Sequence, residues 1–211
     1  MLLKKIIPLW FKTFLKKHRK FNSINNLDKK ILNYINFKNG FYIECGANDG
    51  VNQSNTWYFE KSLNWKGILI EPSKQKFDDL KNNRSSRNIF VNAALVSGDF
   101  KNKKKKFFLS NNNLESKIKN KKSLGDEEIN TDTLNNILSK HKVKTINFFS
   151  LDVEGYEENV LKGLNLNKFN IDYILIETSN FDKISFLLKK NNYKFLKKLS
   201  DHDYLFQKIK L

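Results

Sequence analysis

The segment FYIECGANDG, residues 41–50, decides the fold of this chain. Its first five residues are a short apolar run of the kind that forms a buried strand. Gly46 and Gly50 follow at once, and glycine lets a backbone come closer to its surroundings than a side chain would allow. The helix expected next presents its free N–H groups to whatever lies in the turn. The segment therefore predicts a strand–turn–helix unit with a ligand at the turn.

Strand and helix signals alternate on the carboxyl side of this turn, which predicts a three-layer α/β/α sandwich around a mainly parallel, seven-stranded sheet. The predicted strands cover residues 41–45, 67–71, 89–95, 148–153, 173–177, 195–199 and 204–209. The predicted helices cover residues 24–37, 53–63, 73–83 and 181–191. The last strand is expected to be antiparallel, because the turn at Ser200–Asp203 is too short for a parallel crossover.

The charge of the chain points to anionic partners without choosing among them. The 211 residues fit one domain, and Lys+Arg outnumber Asp+Glu by 39 to 22, a net charge of +17. Such an excess favours nucleic acid, anionic lipid or acidic glycan. Much of it is lysine mixed with asparagine, which an A-rich codon usage explains equally well. Arginine reads phosphate and guanine better than lysine but occurs only at positions 19, 84 and 87, which weakens the nucleic-acid interpretation.

Two segments stand apart from the alternating pattern. Residues 1–22 are predicted to form a basic amphipathic arm, and residues 23–211 the main domain. A basic helix with Trp and Phe suits an anionic membrane surface, so residues 1–20 are a candidate for peripheral membrane contact. The alternative is a helix that packs its apolar stripe on the domain or on a partner subunit. Residues 100–130 are interpreted as a solvated insertion with a short hairpin.

The expected location is cytoplasmic, with contact at the membrane surface through the arm. Cys45 is the only cysteine, so the chain has no intrachain disulfide. No stretch approaches the roughly 18 uninterrupted apolar residues of a membrane span. The apolar run at the start is interrupted by charge and lacks a small-residue cleavage site, so no signal peptide is predicted.

Acidic residues close the first two predicted strands. Glu44 lies at the carboxyl end of the first strand, where it could accept hydrogen bonds from a cationic ammonium group. Glu71 closes the next strand, at the distance along the chain where a ribose diol is bound in dinucleotide sites. Together with the glycine turn they fit a ligand that has a ribose and a cationic amino-acid tail. The alternative is a structural turn with incidental acids.

Three stretches resemble the FkbM family of methyltransferases. ECGANDGVNQSNTWYFEKSLNWKGILIEPS (44–73) is similar to the opening of that family, FFSLDVEGYEENVLKGL (148–164) to its Asp-x-Glu-Gly segment, and YILIET (173–178) to its next strand. The resemblance spans about residues 38–208. It implies a Rossmann-like class I methyltransferase fold, S-adenosylmethionine as donor, and O-methylation of sugars, glycolipids or other natural products. Many members carry a lysine where this chain has Ser150-Leu151, so a role for that lysine does not transfer.

The resemblance also assigns cofactor residues. The turn should line the methionine and ribose, Glu71 should bind the ribose hydroxyls, and the end of the third strand should lie near the adenine. Asp152 is expected beside the cofactor as well. The turn residues concerned are Glu44, Gly46, Ala47, Asn48, Asp49 and Gly50, and those of the third strand are Asn92, Ala93 and Ala94.

The catalytic candidates are Asp152, Glu154 and His202. Asp152 and Glu154 lie where open α/β sheets assemble their sites, and a carboxylate with a raised pKa could take the proton of an acceptor hydroxyl. The same pair could instead hold a divalent cation, or Glu154 could cap the helix that starts near Gly155. His202, between the last two strands, is a candidate base or a simple turn residue.

The leading functional prediction is a small-molecule or glycan O-methyltransferase. The alternatives are a nucleic-acid (RNA) methyltransferase, which the net charge favours, and a non-catalytic binding module that keeps the fold. No Asn/Asp-Pro-Pro-Tyr run and no second cysteine support nucleic-acid chemistry. A nicotinamide dehydrogenase is disfavoured because the glycine spacing is not GxGxxG.

Overall fold

A computed structural model of the chain describes residues 15–98, 107–109, 118–119 and 127–210. In these residues a short helical segment at 15–17 and a 3₁₀ turn (Ile24–Asn26) precede helix α1. The helices are α1 (Leu27–Ile31), α2 (Trp57–Leu63), α3 (Lys74–Asn83), α4 (Leu134–Lys140), α5 (Glu157–Lys162) and α6 (Phe181–Lys190). The strands are β1 (Phe41–Cys45), β2 (Lys66–Ile70), β3 (Ile89–Val91), β4 (Ala94–Leu95), β5 (Phe107–Leu109), β6 (Ile118–Lys119), β7 (Glu127–Ile129), β8 (Thr131–Asp132), β9 (Thr145–Leu151), β10 (Asn170–Glu177), β11 (Tyr193–Lys198) and β12 (Asp203–Lys208).

The main sheet has seven strands in the order β11-β12-β10-β9-β1-β2-β3. Strands β10, β9, β1, β2 and β3 pair in parallel, and β12 is antiparallel to both of its neighbours. The predicted sheet, with its antiparallel last strand, is therefore confirmed. β12 runs antiparallel to β10, and Asp203 at its start pairs with Glu177 at the end of β10. The turn before β12 therefore lies at the carboxyl edge of the parallel strands.

Hydrophobic residues cover both faces of this sheet, which gives the three layers. On one face Ile43 and Phe149 pack in a core with α4, α5 and α6. On the other face Tyr42 and Phe148 pack with α1, α2 and α3. Neighbouring strand residues point to opposite faces, so each central strand contributes to both cores. The parallel strands thus end together at one edge, where loops from several elements meet.

The predicted third strand, residues 89–95, was wrong as a single element. β3 stays in the main sheet, whereas β4 pairs with β8 in a separate two-stranded sheet. Asn92 lies at the break, and its side-chain amide donates to the backbone oxygens of Glu71 and Pro72 (2.9 and 3.0 Å). These bonds to the end of β2 accompany the departure of the chain from the sheet.

Two helices also differ from the sequence prediction. The helix predicted over residues 24–37 is observed only as the 3₁₀ turn and α1, and positive φ angles at Asn25 and Asn26 (54° and 55°) interrupt its first turn. α4 was not predicted, although Thr133 begins it as a typical N-cap whose hydroxyl accepts from the backbone N–H of Asn136 (3.1 Å).

The two segments set apart in the sequence are described in part. Within residues 100–130, β5, β6 and β7 form an antiparallel three-stranded sheet, one strand more than the predicted hairpin. Of the basic arm, residues 1–14 lie outside the described residues, and residues 15–17 are helical; the membrane contact of the arm stays a prediction. No helix in the described ranges has the length and apolar character needed to cross a membrane.

Candidate active site

A cleft opens at the carboxyl edge of the parallel strands. Its walls are the glycine turn after β1, the end of β2, the segment after β3, and the loop after β9. The lining residues are 45–48, 52–54, 70–72, Lys76, 93–95 and 152–154. This is the place where open α/β sheets bind their ligands, since loops from neighbouring strands diverge there.

The glycine turn is fixed by the strands on both sides of β1. The backbone N–H groups of Gly46 and Ala47 donate to the carbonyl of Ile70 (3.1 and 3.0 Å) at the end of β2. Gly46 has φ +79°, and a Cβ there would lie 1.9 Å from the carbonyl oxygen of Asp152 after β9. A side chain at position 46 would therefore collide with the backbone of the protein itself. The glycine lets β1, β2 and β9 converge under the cleft.

Glu71, predicted to bind the ribose hydroxyls, lines the cleft. It is the first residue beyond β2, and its side-chain oxygens accept from the backbone N–H groups of Asn48 (2.9 Å) and Ser73 (3.0 Å). These bonds join the carboxylate to the glycine turn and to the start of α3. The cleft therefore presents a carboxylate of fixed orientation beside the turn.

The structure does not bring Glu44 to the cleft. Its buried carboxylate accepts from the hydroxyls of Ser54 (3.0 Å) and Thr56 (2.6 Å) and from the backbone N–H of Asn55 (2.7 Å). The guanidinium of Arg84 lies 3.4 Å away. The hydrogen-bonding capacity of the Glu44 carboxylate is therefore used by neighbouring residues of the protein. The predicted contact with a ligand ammonium group does not agree with this geometry.

Two other turn residues also act within the protein. The Asp49 carboxylate accepts from the backbone N–H groups of Val51 (2.9 Å) and Asn52 (2.7 Å) and from the Asn52 side chain. Gly50 has φ +79° and packs against α3 rather than against the cleft. Neither residue is part of the cleft lining, whereas Ala47 and Asn48 are.

Asp152 lies in the cleft next to a carboxylate that the sequence analysis missed. Leu151 pairs with Ile176, so Asp152 and Glu177 follow one another across the ends of β9 and β10. Burial raises the pKa of Asp152 well above its usual range, and the charge and hydrogen bond of Glu177 and the charge of Glu154 raise it further. Glu177 closes a predicted strand just as Glu71 does, so the strand-end argument would have found it.

The other catalytic candidates are separated by the fold. Glu154 lines the cleft with φ 54°. The start of α5 is bound by Glu157 instead, whose carboxylate accepts from the backbone N–H groups of Val153 (3.3 Å) and Gly155 (2.9 Å). His202 is exposed in the turn before β12, outside the cleft lining, and its carbonyl accepts from the backbone N–H of Thr178 (2.8 Å).

The described residues contain no group of three or more His, Cys, Asp or Glu side chains arranged to hold a metal ion. The metal-binding role of Asp152 and Glu154 therefore stays a prediction.

The three residues predicted near the adenine, which follow β3, have different roles in the structure. Ala93 and Ala94 line the cleft together with Leu95, and they make this wall apolar. Asn92 is not part of the lining, because its amide holds the end of β2. Small apolar residues on a cleft wall suit a flat aromatic ring, as expected for an adenine.

Several lining residues were not singled out in the sequence. Gln53 has φ 64°, and with Asn48 (φ 50°) and Glu154 it is one of three non-glycine cleft residues in the left-handed region. Such conformations are uncommon for non-glycine residues and concentrate at functional sites. The other lining residues that the sequence analysis missed are Cys45, Asn52, Ser54, Ile70, Pro72, Lys76, Leu95 and Val153.

Comparison with known proteins gives a family match over most of the chain. The sequence model of the family described as Methyltransferase FkbM domain matches residues 44–206. No curated protein sequence matches the chain.

Solved structures share the fold at low sequence identity. The FkbM methyltransferase of Methylobacillus flagellatus KT aligns over 93% of this chain and 58% of its own, with 12% identity and a TM-score of 0.52. A TehB-like S-adenosylmethionine-dependent methyltransferase of Corynebacterium glutamicum aligns over 95% and 94%, with 8% identity and a TM-score of 0.52. The fibrillarin pre-rRNA processing protein of Methanococcus jannaschii aligns over 81% and 66%, with 11% identity and a TM-score of 0.45.

Proposed function

Because the chain belongs to the FkbM family of methyltransferases, we propose that it methylates a hydroxyl oxygen of a sugar, a glycan or glycolipid, or another small natural product, with S-adenosylmethionine as the donor. The observation that supports the proposal is that Glu71 and Asp152 line the same cleft. One carboxylate is held by backbone N–H groups and the other has a raised pKa, so the two suit different tasks.

The lining of the cleft fits the proposed donor. S-Adenosylmethionine has an aromatic base, a ribose diol and a cationic amino-acid part. Ala93 and Ala94 offer an apolar wall for the base, and the Glu71 carboxylate can accept from the ribose hydroxyls. The backbone of Gly46–Asn48 borders the place left for the amino-acid part. The Glu154 carboxylate adds negative charge to the cleft, which attracts a cationic donor.

Asp152 is the residue we assign to the proton of the acceptor. When bound, S-adenosylmethionine supplies a methyl group on a positively charged sulfur. Attack by a hydroxyl oxygen requires that the oxygen lose its proton as the new bond forms. A carboxylate whose acid form has a raised pKa is a stronger base than an ordinary one, and Asp152 meets this condition. Glu177 contacts Asp152 and therefore sets how tightly that proton is held.

Residues 15–22, the described end of the basic arm, pack against α2, which follows the cleft residues 52–54. Ser23 forms a parallel bridge with the cleft residue Gln53. Trp57 donates its indole N–H to the carbonyl of Arg19 (3.1 Å), and the ring of Phe21 stacks on Tyr58 (4.7 Å). We therefore extend the proposal to a lipid-linked or other membrane-associated acceptor. Sedimentation with anionic vesicles should require residues 1–20, and equal binding after their removal would reject this extension.

Calorimetric titration with S-adenosylhomocysteine tests the donor site. We expect saturable one-to-one binding by the wild-type protein and much weaker binding by Glu71→Ala, with NAD as a ligand that does not bind. Leu188→Ala is the matched control, because Leu188 is fully buried on α6 and outside the cleft lining. A folded wild-type protein that does not bind would reject the proposed function.

The acceptor is tested next. A panel of sugars, glycolipids and RNA is incubated with labelled donor, and incorporation of methyl groups is measured at low and moderate salt. Methylation of a sugar hydroxyl is the expected result. Salt-sensitive methylation of RNA alone would favour the nucleic-acid alternative. Donor binding without methylation of any acceptor in the panel would favour a binding module.

A further inference from the structure

Arg84 is a fully buried arginine at the end of α3, directly beneath the glycine turn. Its guanidinium donates to six acceptors on three neighbouring parts of the chain. They are the Glu60 carboxylate (2.8 Å), the Gly50 carbonyl (3.0 Å), the Ser54 hydroxyl (3.1 Å), the Glu44 carboxylate (3.4 Å), the Tyr42 hydroxyl (2.7 Å) and the Thr56 hydroxyl (2.9 Å). Thus one side chain joins β1, the turn and the start of α2.

The partners of Arg84 include backbone and side chains that shape the cleft. Gly50 ends the glycine turn, and Ser54 is itself a lining residue. The bond to the Gly50 carbonyl fixes the far end of the turn, whose near end is held by Ile70. Ser54 also donates to Glu44, so the segment 52–54 is held against β1. Arg84 therefore supports two of the cleft walls without being a lining residue itself.

The second glycine of the turn is required by Arg84. A Cβ at Gly50 would lie 2.7 Å from the Cγ of Arg84 and 2.6 Å from the Cδ1 of Leu80. Both distances are too short for real carbon contacts. Gly50, which the sequence predicts to be a cofactor residue, thus makes room for Arg84. Arg84 and Gly50 form one unit of packing, even though 34 positions separate them.

The network of Arg84 and its six acceptors contains buried charges that require an arginine at this position. Burial alone would raise the pKa of Glu60, but the charge and hydrogen bond of Arg84 hold it at about 2. Arg84 stays charged, because Tyr42, Glu60 and Glu44 raise its pKa although burial lowers it. The sequence has only three arginines among its 39 basic residues. A lysine has three donors on one atom and cannot reach this set of acceptors, since only the planar guanidinium spreads its donors in a fork.

We propose that Arg84 is a positioning residue of the donor site, which holds the glycine turn and residues 52–54 in the shape that binds S-adenosylmethionine. The inference rests on the proposed function for the identity of the ligand. The positioning itself is a property of the protein without ligand. It can therefore be measured separately from cofactor binding.

The test compares Arg84→Lys with Leu188→Ala, which lowers stability from the opposite face of the sheet. The first measurement is hydrogen exchange of the apo protein at the amides of Gly46, Ala47, Asn48 and Gly50, all of which donate within the turn or to its neighbours. The second is calorimetric titration with S-adenosylhomocysteine. We expect Arg84→Lys to lose protection selectively at these amides and to bind at least about tenfold more weakly. Leu188→Ala at equal loss of thermal stability should bind within about twofold of wild type.

The outcomes separate the two proposals. Loss of protection in the turn together with weakened binding supports the role of Arg84. Protection and affinity that change no more than in Leu188→Ala overturn it. If the wild-type protein does not bind S-adenosylhomocysteine, the proposed function fails, and the role of Arg84 in donor binding fails with it. This holds even if hydrogen exchange shows that Arg84 holds the turn in place. Should Arg84→Lys not fold, Glu60→Gln keeps the shape of the network while weakening one ion pair, and the same selective changes are expected at smaller size.

Discussion

Glu44 and Glu71 are two acids at neighbouring strand ends that have different roles in the fold. Glu71 lies on the cleft wall, whereas Glu44 is buried under the glycine turn with Arg84. The difference follows from where each strand stops. Glu44 is still within β1, so its side chain follows the alternation of the strand and points to the same face as Tyr42. Glu71 is one residue beyond β2, so its side chain is free of that alternation and turns to the cleft.

Asp152 follows the same rule as Glu71. Asp152 is the first residue after β9 and lies in the cleft. An acid that ends a strand in the sequence can therefore belong to the core or to the site, and one position of register decides which. Sequence patterns locate strand ends only to within a few residues. For this reason the chemistry at the edge was predictable while the assignment of individual acids was not.

The largest expected effect is the loss of kcat on substitution of Asp152, which tests its role as the base at the carboxyl edge of the sheet. We expect Asp152→Asn to lower kcat by about 10²–10⁴-fold, because the amide cannot accept the hydroxyl proton. The affinity for S-adenosylhomocysteine should change far less. Single-turnover rates with an accepted substrate, beside calorimetric titration of the same variant, give both values. An undiminished rate would remove Asp152 from catalysis.

The next prediction tests the comparison of the two glutamates directly. Glu44→Ala should lower the free energy of unfolding by about 3–5 kcal/mol, because it leaves the buried Arg84 without one of its charged partners. Glu71→Ala should instead weaken binding of S-adenosylhomocysteine by about 10- to 100-fold, which corresponds to the loss of about 1.5–3 kcal/mol.

Denaturant unfolding and calorimetric titration of both variants decide the point. If both substitutions change the free energy of unfolding and the affinity for S-adenosylhomocysteine in the same proportion, the distinction between a buried and a cleft-facing acid is wrong. Glu44→Gln is the matched conservative change, since it keeps the shape of the side chain and removes only its charge.

Much of the fold follows from the sequence, because it depends on patterns that are local. Short apolar runs alternate with amphipathic segments, and the turn at Ser200–Asp203 fixes the direction of the last strand. The break at Asn92 and the break between the 3₁₀ turn and α1 depend on side-chain bonds and positive φ angles that the hydrophobic pattern does not report. Arg84 is the clearest case. Its partners lie 24–42 positions away, so only the folded chain shows that one arginine supports the turn.

The pH dependence of stability sharpens the assignment of Asp152. Its pKa is raised in the folded state above the value of about 3.9 for an unfolded Asp, so the folded protein binds this proton more tightly than the unfolded chain does. The contribution of Asp152 to the free energy of unfolding is therefore largest at acid pH and falls as pH rises from about 4 towards the folded-state pKa. Asp152→Asn should flatten this part of the profile. Denaturant unfolding at several pH values measures it, and parallel profiles for the two proteins would contradict the raised pKa.

The smallest expected effect concerns His202. It lies at the carboxyl edge like Asp152, but it is exposed and outside the cleft lining, and the turn uses its backbone carbonyl rather than its imidazole. Proximity to the edge alone does not make a residue catalytic, since a base must reach the reacting proton. His202→Gln should therefore change the free energy of unfolding by no more than about 0.5 kcal/mol and leave kcat and donor affinity close to wild type. A large loss of kcat with unchanged affinity would instead mean that bound acceptor extends beyond the cleft as far as this turn, and His202 would replace Asp152 as the proton acceptor.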